Sequence, residues 1–186
     1  TINFNAVNVG GAQGGADDDL IVVNGASTVI NDVAGGDGID TITIDGASSV
    51  GGFIFGDDDF SGDPLGDGAD SISILGGSTV DLAVRGGQGG DTITIDGASS
   101  VGDQIFGDDS TSSAVGGNDS ISVLGNSTVF DVTADGGNDS IRIDGSSVVF
   151  DVSGQDGDDN IRVANGSTVG TDVDGGNDND SIRNWC

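Results

Sequence analysis

An aspartate recurs through the chain at Asp19, Asp40, Asp70, Asp91, Asp119, Asp139, Asp159 and Asp180, and each is followed two positions on by isoleucine. The usual interval is 20 or 21 residues; two intervals, of 30 and 28, contain inserts. Beside these aspartates lie glycine-rich turns such as Gly35-Gly36-Asp37-Gly38. Short carboxylates next to glycine carbonyls suit a hard cation such as Ca²⁺, which takes about six to eight oxygen ligands. A pair of carboxylates also serves glycoside hydrolysis, but here every Asp has a simpler place in a turn or a metal site. With no His or Lys in the chain, the reading is of a non-enzyme.

All 32 acidic residues are Asp, against four Arg, so the formal net charge is −28. Glu solubilises a surface as well as Asp does, so its absence argues that many of the carboxylates are positioned. The charge and the lack of Lys exclude the electrostatic footprint of a nucleic-acid binder, and an anionic membrane would repel the chain. No stretch is long and apolar enough for membrane insertion, and no signal peptide is evident. Thr1 at the start reads as a processed product or a fragment, and Cys186, the single cysteine, rules out an internal disulfide. High acidity with few aromatics also describes disordered chains; Ile and Val at fixed spacing point instead to a fold.

Repeats of this length stack, each covering the apolar side of the last. After each recurring Asp comes a short strand of period two. Its inward columns are Ile21, Ile42, Ile72, Ile93, Ile121, Ile141, Ile161 and Ile182, then Val23, Ile44, Ile74, Ile95, Val123, Ile143 and Val163. Thr41, Thr43, Ser71, Ser73, Thr92, Thr94, Ser120 and Ser122 alternate with them and should face water. A turn follows, as in Asp45-Gly46-Ala47-Ser48 and Asp96-Gly97-Ala98-Ser99. A second strand then returns, carrying Val29 and Val33, Val80, Leu82 and Val84, Phe130 and Val132, and Val148, Phe150 and Val152. The expected fold is all-β: a parallel β-solenoid, or β-roll, of about eight coils with two short strands each and two inserted loops. An antiparallel sandwich also has short strands at regular spacing; parallel ladders explain better why glycine-Asp punctuation falls on alternate turns only. One domain spans 1–186, with an N-terminal strand or cap at 1–13, coils over 14–182 and inserts near 55–65 and 106–115.

One turn cannot easily supply a full calcium shell. Two stacked turns could, with carbonyls and Asp37-type oxygens from one coil and Asp40-type carboxylates from the strand heads. These segments resemble the RTX nonapeptide Gly-Gly-x-Gly-x-Asp-x-apolar-x. Residues 35–43 and 86–94 match in full, and 65–73 match except at Leu65. Gly117-Asn118-Asp119 and Gly137-Asn138-Asp139 carry the common ending, while 14–21, 154–161 and 175–182 are looser. The resemblance implies a β-roll that binds Ca²⁺ between successive turns, folds on binding it, and is secreted or exposed at a cell surface. The usual roll has the motif on both edges. Here the opposite edge reads Gly-Ala-Ser, so a single line of ions is expected, similar to an ice-binding module within that family. The candidate ligands are Asp19, Asp37, Asp40, Asp67, Asp70, Asp91, Asp119, Asp135, Asp139, Asp156, Asp159, Asp178 and Asp180. About seven divalent ions would halve the formal charge of −28, and without cations stacked acidic turns repel one another.

The two inserts share a design, DGASSVGGFIFGDD from Asp45 and DGASSVGDQIFGDD from Asp96. Asp57, Asp58, Asp59 and Asp63, or Asp103, Asp108 and Asp109, form either extra calcium sites or solvated acidic loops. Arg142, Arg162 and Arg183 fall in the outward column held earlier by Thr43 and Thr94; they either meet acidic groups of another subunit or moderate charge in solvent. The Thr and Ser columns raise ice binding, although the columns drift to Asn160 and Arg162 and β propensity alone explains Thr. Asn126-Ser127-Thr128 and Asn165-Gly166-Ser167 are weak glycan-acceptor signals. The strand Thr1–Asn5 covers its own end of the stack or adds to another subunit. The leading expectation is a calcium-stabilised extracellular structural module that self-associates through its solenoid ends as filament, matrix or surface layer. The alternative is an adhesin segment binding carbohydrate, such as a surface glycan, or ice.

Overall fold

The computed structural model describes residues 1–57, 68–108 and 116–185. It is a parallel β-solenoid. Nine strands form the first sheet, in chain order from Ile2–Asn5 and Leu20–Asn24 to Asn160–Ala164 and Ser181–Trp185. Every neighbour pairs in parallel and in register, so Ile42, Ile72, Ile93, Ile121, Ile141 and Ile161 stack directly over one another. At about 4.8 Å per rung the nine strands span about 38 Å.

The inward columns make the core. Ile21, Ile42, Ile72, Ile93, Ile121 and Ile161 are fully buried, as are Val23, Ile44, Ile74, Ile95, Val123 and Ile143. The alternating Thr and Ser positions face outward, as in the buried-exposed rhythm of Thr41–Ile44. β-branched side chains suit this arrangement because each packs on an identical shape above and below. The strand Ile2–Asn5 pairs with Leu20–Asn24, with Ile2 against Ile21 and Phe4 against Val23, and so covers that end of the core.

The second sheet has thirteen strands because the returning strand is divided in several coils. Ser49–Val50 is separated from Ile54–Phe55, and Thr79–Val80 from Val84–Arg85. Two of the divisions fall at Gly51-Gly52 and at Asn31-Asp32, where Asp32 Oδ1 accepts the Phe53 N–H at 2.8 Å, and another at Asp81-Leu82-Ala83. In three later coils the strand runs unbroken as Ser100–Phe106, Thr128–Thr133 and Val148–Asp156, with a register shift between Val101 and Gln104, and in the last coil it divides again into Thr168–Val169 and Val173–Asn177. The returning strand therefore does not keep strict period-two alternation. Val80 and Val84 are buried while Leu82 between them is exposed. Phe130, Val148 and Phe150 also point outward, and their neighbours Val129 and Val149 fill the core.

The turn that leaves each first-sheet strand has two successive residues at positive φ: Gly25 at 65° and Ala26 at 59°, Gly46 at 65° and Ala47 at 57°, Gly97 at 69° and Ala98 at 63°. That is the φ pattern of a type I′ turn, used here to pass between sheets rather than to close a hairpin.

Candidate metal-binding edge

The recurring aspartates form a ladder. The backbone N–H of each donates to the Oδ1 of the aspartate one coil on: Asp19 to Asp40 at 2.6 Å, Asp40 to Asp70, Asp70 to Asp91, Asp91 to Asp119 and Asp119 to Asp139 at 2.7 Å, Asp139 to Asp159 at 2.8 Å, and Asp159 to Asp180 at 3.0 Å. At the first rung the α-amino group of Thr1 takes the donor's place on Asp19 Oδ1, at 3.1 Å. Register explains the pattern: the strand-head Asp precedes the first paired residue, so its N–H has no neighbouring carbonyl in line and takes a side chain instead.

The second oxygen of these carboxylates is the unusual feature. Asp40, Asp91, Asp119, Asp139 and Asp159 are between 1 and 3% exposed, and the Oδ2 of each is buried with no hydrogen-bond partner. Each of these oxygens except that of Asp139 lies over a glycine Cα. A Cβ on Gly35 would strike Asp40 Oδ2 and the Gly56 carbonyl; one on Gly86 would strike Asp91 Oδ2 and the Gly107 carbonyl; one on Gly107 would strike Asp119 Oδ2 and the Ala134 carbonyl. Glycine in this column therefore admits a carboxylate oxygen and a main-chain carbonyl side by side. Desolvation pushes the carboxyls of Asp91 and Asp119 up to about 8 and that of Asp139 up to about 7, with neighbouring carboxylates adding to the rise. Burial raises Asp40 and Asp159 too.

The remaining candidates separate into groups. Asp135 and Asp178 stand on left-handed backbone, φ 74° and 76°, in turn positions that other coils fill with glycine. Asp37 and Asp156 share another column; Asp37 is exposed, and Asp156 Oδ1 accepts from the Asn177 amide at 2.6 Å. Asp156 and Asp178 help line a shallow cavity of ≈ 490 Å³ with Gly136, Gly137 and Gly157. Asp57 and Asp108 are nearly buried and brace the turns. Asp57 Oδ2 accepts the Gln88 N–H at 2.7 Å, and Asp108 accepts the N–H groups of Gly117 and Gly136 at 3.0 and 3.1 Å. Asp103 is exposed. Asp58, Asp59, Asp63, Asp67, Asp109 and Cys186 lie outside the described residues, with most of the two inserts.

Two further ladders escaped the sequence reading. At the opposite edge turn serines link successive coils: Ser78 Oγ accepts the Ser48 N–H and Ser99 Oγ the Ser78 N–H, both at 3.2 Å, while Ser48 and Ser99 donate to the carbonyls of Asp45 and Asp96 at 2.6 and 2.7 Å; Ser127 Oγ, in the same column, is buried without a partner. Beside the aspartate ladder, Asn118 Oδ1 accepts the Asn138 N–H at 2.7 Å, Asn138 that of Asp158 at 2.8 Å, and Asp158 that of Asn179 at 2.9 Å. The paired Asn-Asp ending of the glycine turns was the sequence signal for this second ladder.

Among the described residues no three acidic side chains gather into a group able to hold a metal by themselves. An ion at this edge would need main-chain carbonyls as well. The donors present suit such an ion: they are all oxygen, the buried Oδ2 atoms of Asp40, Asp91, Asp119, Asp139 and Asp159 lack a protein partner, and main-chain carbonyls such as those of Gly56 and Gly107 lie beside the first two. No family model, curated protein or solved structure matches the chain.

Proposed function

We propose that the chain is a calcium-stabilised structural module of an extracellular surface or matrix, a scaffold rather than an enzyme, that self-associates through its ends. The observation that carries this is the contrast between the two edges. Serine hydroxyls such as those of Ser48 and Ser99 serve as both donors and acceptors, and Ser127 Oγ, which has no partner, is a neutral group. The aspartate ladder uses one oxygen and leaves the other buried at Asp40, Asp91, Asp119, Asp139 and Asp159. An unpaired buried carboxylate is among the costliest groups a fold can hold, and a row of them needs a cation or protons.

In this reading the Oδ2 atoms of the ladder and the neighbouring glycine carbonyls hold the ions. Asp135, Asp156 and Asp178 supply further oxygens toward the last coils. Bound Ca²⁺ supplies positive charge that offsets desolvation and repulsion. Because the row exists only in the stacked fold, binding energy is folding energy. Modules of low calcium affinity work outside cells, where the ion is abundant, which favours a secreted or surface location.

Self-association is part of this reading, and the edge strands support it. Ile2–Asn5 and Ser181–Trp185 each pair on one side only among the described residues, and both continue the same in-register columns. In this reading the last coil of one copy receives the first coil of another, a head-to-tail contact that builds filaments.

Circular dichroism and negative-stain electron microscopy with calcium, and after thorough chelation near neutral pH, test both parts. Expected are β structure and end-to-end polymers with calcium and loss of both without it. Full β signal after chelation would sink the metal role; folded monomers at all concentrations would sink the assembly.

A further inference from the structure

Three of the four arginines, Arg142, Arg162 and Arg183, stand in register on the outward face of the first sheet. They are about 4.8 Å apart from coil to coil, and all three are exposed. They differ in what they hold. Arg142 donates through Nε and a terminal nitrogen to Asp144 Oδ2, two residues on. Asp144 is also held by the Asn165 amide, at 2.6 Å. In the next two coils the position of Asp144 is taken by Ala164 and Trp185. Neither Arg162 nor Arg183 has a hydrogen bond or an ion pair among the described residues. Two guanidinium groups thus lack a carboxylate in a chain that carries 32 of them.

The surroundings define what would complete them. Trp185, the one tryptophan, shares the outward face with Arg183 and is 62% exposed. Ser181 and Asn160 lie in the adjoining outward column, offering a hydroxyl and an amide. Guanidinium recognises carboxylate through paired, charge-assisted hydrogen bonds. An exposed indole offers an apolar face with a polar edge. Hydroxyl and amide groups bind hydroxyls. We infer that Arg162, Arg183 and Trp185 form a binding site for a carboxylated saccharide, a uronic-acid sugar of a surface or matrix polysaccharide. The ligand carboxylate sits where Asp144 sits beside Arg142, and the sugar ring lies against the indole. The inference stands on this row and does not depend on the metal reading.

The test is titration of the full chain with a short oligogalacturonate, followed calorimetrically, with a neutral dextran oligosaccharide as control. The folded protein should bind the acidic sugar saturably and the dextran much more weakly. Replacing both Arg162→Gln and Arg183→Gln should weaken binding about tenfold or more, as expected for loss of charge-assisted bonds. Trp185→Ala should weaken it too, and Arg142→Gln, whose charge is already paired, should matter less. Circular dichroism checks that the variants, all at exposed positions, keep the fold. Equal binding of dextran overturns the proposal. So does acidic-sugar binding that survives the double substitution, since it would then run through ions at the aspartate edge. If the double variant instead dissociates an oligomer of the protein alone, the row is a contact between copies and the saccharide site is refuted.

Discussion

The backbone N–H of Asp91 donates to Oδ1 of Asp119 at 2.7 Å across 28 residues of sequence, while Asp119 Oδ2 is buried without a partner. One carboxylate thus both ties two coils together and carries the charge that the fold must neutralise. Asp119→Asn separates the two roles. The amide keeps an Oδ1 acceptor for Asp91 and replaces the charged oxygen with a donor beside the Ala134 carbonyl. In chelator near pH 8 the variant should be more stable than the parent by about 1–3 kcal/mol, the scale of a buried unsatisfied polar group. With calcium present the gain should vanish or reverse. Denaturant titrations with and without the ion check both signs, and equal effects in the two conditions would detach Asp119 from any metal.

Acid should replace the metal. Burial raises the carboxyls of Asp91 and Asp119 to about 8 and that of Asp139 to about 7, well above the ordinary carboxylate range. A folded pKa above the unfolded one means that the folded state holds protons more tightly. Stability from these groups is fully present below about pH 4 and is lost as pH rises through about 7–8. The chelated chain should therefore gain β structure on acidification from about pH 9 to pH 5, the reverse of ordinary acid unfolding. Dichroism against pH in chelator checks this; a metal-free fold equally stable across that range would contradict it.

The serine edge supplies the calcium-independent counterpart. Ser99 Oγ accepts the Ser78 N–H at 3.2 Å and donates to the Asp96 carbonyl at 2.7 Å, with both serines buried. Ser99→Ala strands the Ser78 N–H. It should cost about 1–3 kcal/mol, the same with and without calcium. A loss that depends on the ion would couple the two edges and undermine the one-edge reading.

What the sequence revealed and what it hid divide along physical lines. The Ile42 and Ile44 columns were legible because period two is local and burial of one face follows from it. The recurring Asp was legible as a strand head. Its bond was not, because Asp91 reaches Asp119 only through the register of two coils whose spacing an insert has lengthened. Ser99 read as a turn residue for the same reason. The exposure of Leu82 was not legible because a bend interrupts the alternation between Val80 and Val84, and local period carries no information across a bend. The unpaired Oδ2 atoms had no sequence signature beyond the glycine five residues ahead, as Gly35 stands to Asp40, and that spacing gains meaning only when a Cβ there is seen to strike the carboxylate.

The turns store strain that can be removed. Ala47 and Ala98 sit at φ 57° and 63°, a region that costs an L-residue about 1–2 kcal/mol; glycine escapes that cost but loses some entropy on folding. Ala47→Gly and Ala98→Gly should each stabilise the chain by about 0.5–1 kcal/mol. The bonds from Ala47 N to Gly76 O and from Ala98 N to Gly125 O, at 3.0 and 2.8 Å, involve backbone alone and survive the change. One coil separates the two sites, a distance at which effects add. That intervening coil gives the reciprocal experiment. Gly77 has φ 75°, and a Cβ there would meet nothing within 4 Å, so Gly77→Ala should cost about the same amount through backbone strain alone. Thermal melts of the three variants in saturating calcium check the set. Stabilisation by Gly77→Ala would show that unfolded-chain entropy, and not the left-handed backbone, governs these turns.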